Sequence, residues 1–230
     1  MTSSSERASS LRAAEDVAAA LFARVAELEL VRAGVTEKQL SDEICALAER
    51  EFGVRKYWHK RVVRAGVNTL CPYSDNPPLR TLAPDDIVFV DFGPLLAPWE
   101  ADFGRSYVLG SDPSKLRLVA DLHPIWDAAA SHARQNTEIT GAELFRYLQA
   151  LAGERGWELG SAHAGHLIGM FPEEPGRWDF EENYVAADNH KALRAADREG
   201  APREWVLEVH LVDRNRGIGG FFEQWMQLTR

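Results

Sequence analysis

The sequence predicts an α+β protein, with helices grouped on one side of an antiparallel sheet, and three observations carry that prediction. Helical and β-like periodicities come in blocks instead of alternating along the chain. Residues 87–106 and 206–225 each consist of two valine- and aromatic-rich runs about a turn, the pattern of a β-hairpin. A chain of 230 residues with 45% apolar composition can bury one sizeable core. One domain over residues 11–230 is therefore expected, after a Ser-rich, disordered stretch at 1–10.

Leu11, Ala14, Val17, Ala18, Leu21 and Val25 recur at helical spacing in an Ala-rich run, which predicts a helix over 11–32 that Gly34 stops. Thr36 and Gln39 form a capping-box pair that starts a second helix. That helix carries Leu40, Ile44, Leu47 and Ala48 on one face and ends before Gly53. From Lys56 to Asp91 the pattern is β-like, interrupted by an irregular loop marked by Pro72, Pro77, Pro78 and Pro84. Helical periodicity returns over 114–135 and 141–155, the second opening at Thr140 or Gly141 and closing near Gly156. Residues 160–203 are rich in Pro, Gly and charge and hold no period; loops this long inside a compact domain tend to be functional.

Each hairpin carries two acids in an apolar setting. A register symmetric about Leu95–Pro98 sets Asp91 opposite Asp102, and one symmetric about Arg214–Gly217 sets Glu208 opposite Glu223. Cross-strand partners lie about 4.5–5.5 Å apart at Cβ, where like charges repel. Cations between them would remove the repulsion, and a metal site explains both pairs. The passage SAHAGHLIG supplies a nitrogen donor, with His163 and His166 flanking its small residues. Four carboxylates and one imidazole suit two divalent ions chosen from Mn²⁺, Fe²⁺, Co²⁺ and Zn²⁺. Such a pair, about 3.5–4 Å apart, activates a water and stabilises an oxyanion, which is hydrolytic chemistry.

The formal net charge of -9 argues against unaided nucleic-acid binding and favours a small or cationic ligand. No apolar stretch approaches 18 residues and MTSSSERASS lacks the apolar core of a secretory signal. The expectation is a cytoplasmic protein with no membrane partner; a homodimer is left open. Cys45 and Cys71 are too few for a disulfide framework or a thiolate zinc site and are expected as free thiols.

Taken in order, DFG at Asp91, ADFGRS at Asp102, GHLIG at His166 and the two strand glutamates resemble the pita-bread metallopeptidases, the methionine and Xaa-Pro aminopeptidases. The resemblance covers most of the chain. It implies two pseudo-symmetric halves with helices packed on a curved antiparallel sheet, and metal ligands at Asp91, Asp102, His166, Glu208 and Glu223. It also implies a metal-activated water acting on a peptide or small amide. The separate N-terminal domain of the Xaa-Pro enzymes has no counterpart in this sequence, so a stand-alone catalytic domain is expected.

Two departures bear on activity. Family peptidases carry a helper histidine in the loop before the first ligand strand, where this chain has NTLCPYSDNPP with Cys71 and Tyr73. They carry another shortly after the ligand histidine, where Glu173 stands here. A glutamate can serve as acid or base, but an anion beside metals changes which substrates are tolerated. His210, two residues after Glu208 on the same strand face, and His163 are the substitutes at hand. His210 serves equally well as a buried partner of a carboxylate. Besides the hydrolase, the sequence admits a divergent metalloenzyme with non-peptidase, iron-dependent oxidative chemistry on a small molecule, and a non-catalytic binding domain.

Overall fold

The computed structural model describes residues 4–172, 181–197 and 200–228. Two helices open the chain, α1 (Ser4–Glu27) and α2 (Glu37–Phe52). α2 is bounded as its sequence requires. The Gln39 backbone N–H donates to Thr36 Oγ1 at 3.1 Å, the Thr36 N–H donates to the Gln39 side chain at 2.9 Å, and Gly53 closes the helix in the left-handed region at φ 69°.

α1 departs from expectation at both ends. Residues 4–10, expected to be disordered and outside the domain, are its first turns. Ala8 and Leu11 pack against Ile168, Val206 and Trp225, so tertiary burial extends the helix past what periodicity alone marks. It stops at Glu27 because Glu29 turns the chain at a φ of 49°.

The strands follow as β1 (Val62–Ala65), β2 (Ile87–Phe92), the short β3 (Leu95–Leu96) and β4 (Trp99–Glu100), and β5 (Phe103–Val108). After α3 (Pro113–Gln135) and α4 (Gly141–Glu154) come β6 (Glu158–Leu159), β7 (His163–Ile168), β8 (Tyr184–Ala186), β9 (Glu204–Asp213) and β10 (Ile218–Met226). The order of two helices, then strands ending in a long hairpin, occurs twice. One antiparallel sheet results, β1-β2-β5-β10-β9-β7-β8, with β6 also on β9; β3 and β4 pair only with each other.

Period-two alternation divides each central strand between a core and a site. Val88, Val90 and Phe92 of β2 pack under α1 and α2 with Leu21, Phe22, Leu40 and Ile44. Leu207, Val209 and Leu211 of β9, with Phe222 of β10, pack under α3 and α4 with Leu122, Ile125, Trp126 and Leu144. The intervening residues, Phe89, Asp91, Glu208, His210, Phe221 and Glu223, point away from these two cores. All six are buried.

The second hairpin has the expected register, with Glu208 opposite Glu223. The first does not: Asp91 pairs with Gly104 and Phe92 with Phe103, and β3–β4 continue that register to Leu96 opposite Trp99. The turn is centred between Ala97 and Pro98, one residue later than expected, which moves every pairing by two. A shift of two preserves the face, so Asp102 is a diagonal neighbour of Asp91 instead of its direct partner. Gly104 also pairs with Glu223. Asp91, Gly104, Glu223 and Glu208 thus form a single row across four strands.

Candidate metal centre

The row supplies three carboxylates, and Asp102 and His166 stand beside it. His166 Nε2 lies 3.2 Å from Asp102 Oδ2 and 3.9 Å from Glu223 Oε1. Ligand atoms of Asp102, His166 and Glu223 all fall within 4.8 Å of one another. So do those of Asp91, Asp102 and a residue that sequence reasoning missed, His59. Its Nε2 is 3.1 Å from Asp102 Oδ1 and 3.6 Å from Asp91 Oδ1. His59 belongs to the KYWHKR passage before β1, where the β-like pattern contained nothing that tied this histidine to the acids of the hairpins.

Charge in the cluster is unevenly distributed. Burial would raise the Asp102 carboxyl, but His59 and His166 on either side hold it well below the usual carboxylate range. Burial would likewise lower the imidazoles. The carboxylates outweigh it, pushing His59 up to about 9 and raising His166. Asp91 is pushed up to about 7 by burial, aided by the neighbouring Asp102 and Glu208 charges and opposed by His59. Burial and the same crowd of anions raise Glu223 well above its ordinary value.

Two buried oxygens, Asp91 Oδ1 and Glu223 Oε2, have no hydrogen-bond partner. Buried polar atoms are nearly always satisfied, and an unsatisfied carboxylate oxygen among other carboxylates fits a cation-binding position. A donor set dominated by oxygen, with imidazole nitrogen, fits hard to borderline divalent ions. The residues therefore fit the metals that the sequence suggested.

A cavity of about 330 Å³ opens on the row. Val62, Phe89 and Phe221 form its apolar wall; Asp91, Glu208, His163 and His210 contribute its polar atoms; Cys71 and Tyr73 line its edge. His163 Nδ1 donates to Glu208 Oε1 at 2.7 Å, and its ring is 36% exposed. His210 is buried, with both nitrogens engaged. Nε2 donates to the Thr69 carbonyl at 2.8 Å, which leaves Nδ1 to accept from Ser161 Oγ at 3.2 Å, and burial pushes the imidazole below its ordinary value. Glu173 lies outside the described residues. Cys45 and Cys71 are free thiols, as expected.

The model of Metallopeptidase family M24 matches residues 9–196. The chain belongs to metallopeptidase family M24. A Xaa-Pro dipeptidase of Lactobacillus delbrueckii subsp. lactis is 27% identical over 150 residues, 65% of this chain and 40% of that protein. Among solved structures, a prolidase from Thermococcus sibiricus superposes with a TM-score of 0.72 at 21% identity, covering 98% of this chain and 59% of the other. A methionine aminopeptidase from Thermotoga maritima gives 0.65 at 14% identity, covering 92% of this chain and 88% of the other. These likenesses establish the pita-bread fold of the M24 chain. It spans 40% of that dipeptidase and 59% of that prolidase, less than two thirds of either. No helix among the described residues is long and apolar enough to cross a membrane.

Proposed function

We propose that this M24 chain hydrolyses an amide bond in a short peptide or small amide at two divalent cations held by Asp91, Asp102, His166, Glu208 and Glu223. One observation carries the reading: Asp91 and Glu223, each with a buried carboxylate oxygen that has no hydrogen-bond partner, belong to two separate groups of potential ligands that have Asp102 in common. Bound there, the cations supply Lewis-acid polarisation and a water of lowered pKa.

The remaining work falls to the chain's own side chains. Asp102, present in both groups of potential ligands, would serve both cations. The Nδ1–H of His163 fixes one oxygen of Glu208, which sets that carboxylate's orientation toward the row. The exposed part of His163 lies at the cavity, where Nε2 can hold the proton that a leaving amine requires. The wall of Val62, Phe89 and Phe221 receives an apolar side chain and keeps bulk water from the carboxylates.

Xaa-Pro dipeptides are the first substrates to test, because the similar Lactobacillus protein is a Xaa-Pro dipeptidase. Purified protein should be stripped with chelator, reloaded separately with Mn²⁺, Fe²⁺, Co²⁺ or Zn²⁺, and assayed on a panel of Xaa-Pro dipeptides, Met-peptides and small amides. Metal-dependent release of product that disappears in Asp91→Ala supports the reading. No turnover of any amide with any metal opposes it. A second reading, hydrolysis of a small amide other than these peptides, is favoured by Cys71 and Tyr73 at the cavity in place of the family's helper histidine. It predicts that only the small-amide arm of the panel turns over.

A further inference from the structure

We propose that His59 is a sixth ligand of the centre, so that each of the two cation positions has one imidazole and both share Asp102. The proposal deepens the metal-centre reading and rests on it.

Three observations carry it. The first is a likeness between His59 and His166. The Nδ1–H of His59 donates to the carbonyl of the next residue, Lys60, at 2.7 Å, and that of His166 to the carbonyl of its next residue, Leu167, at 2.9 Å. An Nδ1–H given to a backbone carbonyl fixes the ring and leaves Nε2 as the donor atom, the usual arrangement of a metal-bound histidine. In both residues Nε2 then points at Asp102, at Oδ1 for His59 and at Oδ2 for His166, 3.1 and 3.2 Å away.

The second is that the position is built. His59 is held beside β2 by its neighbour: the Trp58 backbone N–H donates to the Gly93 carbonyl at 3.0 Å and Trp58 Nε1 donates to the Ala101 carbonyl at 2.9 Å. The Trp58 ring lies edge-on to both imidazoles, 4.5 Å from His59 and 5.5 Å from His166 between centroids. Gly93 makes the room. A Cβ there would stand 2.1 Å from His59 Cδ2 and 2.4 Å from Trp58 Nε1.

The third is the partition of donors. Asp91 Oδ1 has no hydrogen-bond partner and lies 3.6 Å from His59 Nε2, so this nitrogen completes the position around it. A second imidazole makes the centre less purely oxygen-based than five ligands imply. It moves preference away from Mn²⁺ toward Fe²⁺, Co²⁺ or Zn²⁺.

Cobalt-loaded protein tests the assignment without an activity assay. Each imidazole on a paramagnetic Co²⁺ whose Nδ1–H is held by a carbonyl gives one strongly shifted, solvent-exchangeable proton signal. Two such signals are expected in the wild type, and His59→Gln should lose one and weaken cobalt binding about tenfold or more. A single signal in the wild type overturns the proposal whatever the variants do, as do unchanged signals and affinity in His59→Gln. Wild-type protein that binds no cobalt overturns the metal-centre reading itself, and this proposal with it. Cobalt bound with one imidazole signal leaves that reading standing and removes only His59.

Discussion

Glu208 and Glu223 are direct cross-strand partners in the β9–β10 ladder, both buried, with Gly104 and then Asp91 continuing the same row. Without cations such a row reduces its repulsion by taking up protons, and the raised Glu223 carboxyl is the clearest place for one. Asp102 is the opposite case, an anion held between two imidazoles.

The contrast gives a pair of expected outcomes. Glu223→Gln should leave the melting temperature of chelated protein nearly unchanged, since burial and the neighbouring anions favour the neutral form of this carboxyl. It should also reduce the rise that metal produces in the wild type, which at free metal of about 100 times Kd is roughly 2.7 kcal/mol per site, by removing a ligand of the position beside His166. Asp102→Asn should lower the chelated protein's stability by roughly 3 kcal/mol, because two buried imidazoles lose their anion. Scanning calorimetry of both variants with and without metal checks the pair.

His210 and His163 should separate in the same way. His210 is buried with both nitrogens engaged, and the Thr69 it bonds also accepts from the Gly219 N–H through Oγ1 at 2.8 Å. His210→Ala should cost about 3 kcal/mol in urea unfolding while metal content stays at the wild-type level. His163→Ala should do the reverse, with little change in unfolding and a fall in kcat of about 10² or more.

The pH dependence of stability should carry the signature of Glu15 on α1. One of its oxygens accepts from the Trp225 N–H at 3.1 Å, the other has no partner, and burial pushes the carboxyl up to about 8 from 4.5. A folded-state value above the unfolded one means that the native protein keeps its proton where the unfolded chain has lost it. The contribution of Glu15 to stability is therefore full below pH 4.5 and is lost as pH rises to about 8, by a few kcal/mol in all. Denaturation midpoints at about pH 5 and about pH 9 in chelator should differ less in Glu15→Gln than in the wild type.

How much of this could be read from residues alone depends on what kind of signal each feature left. Asp91, Glu208 and Glu223 were legible because an acid in a Val- and Phe-rich strand conflicts with its surroundings, and period two fixes its face. The register of the first hairpin was not. It depends on whether the turn centres before or after Ala97, which alternation cannot decide, although the even shift kept Asp102 on the right face. The start of α1 was missed because Ala8 and Leu11 find their partners in β7, β9 and β10, far along the chain. His59 was missed for the same reason, since its place is made by Gly93 and Trp58 acting through contacts that no local period encodes.

Gly93→Ala offers a check on that last point. The added methyl would clash with the His59 ring and with Trp58 Nε1, and no carboxylate is among the three atoms nearest to it. Isothermal titration with Co²⁺ should show weaker binding at one position, and unaltered binding would mean that His59 contributes nothing.

The most direct measurement is anomalous diffraction from crystals soaked in Co²⁺ and collected above and below its absorption edge. Two anomalous peaks are expected on either side of Asp102, one near Asp91 and one near His166 and Glu223. Crystals that show cobalt elsewhere, or none at this cluster, would contradict this arrangement.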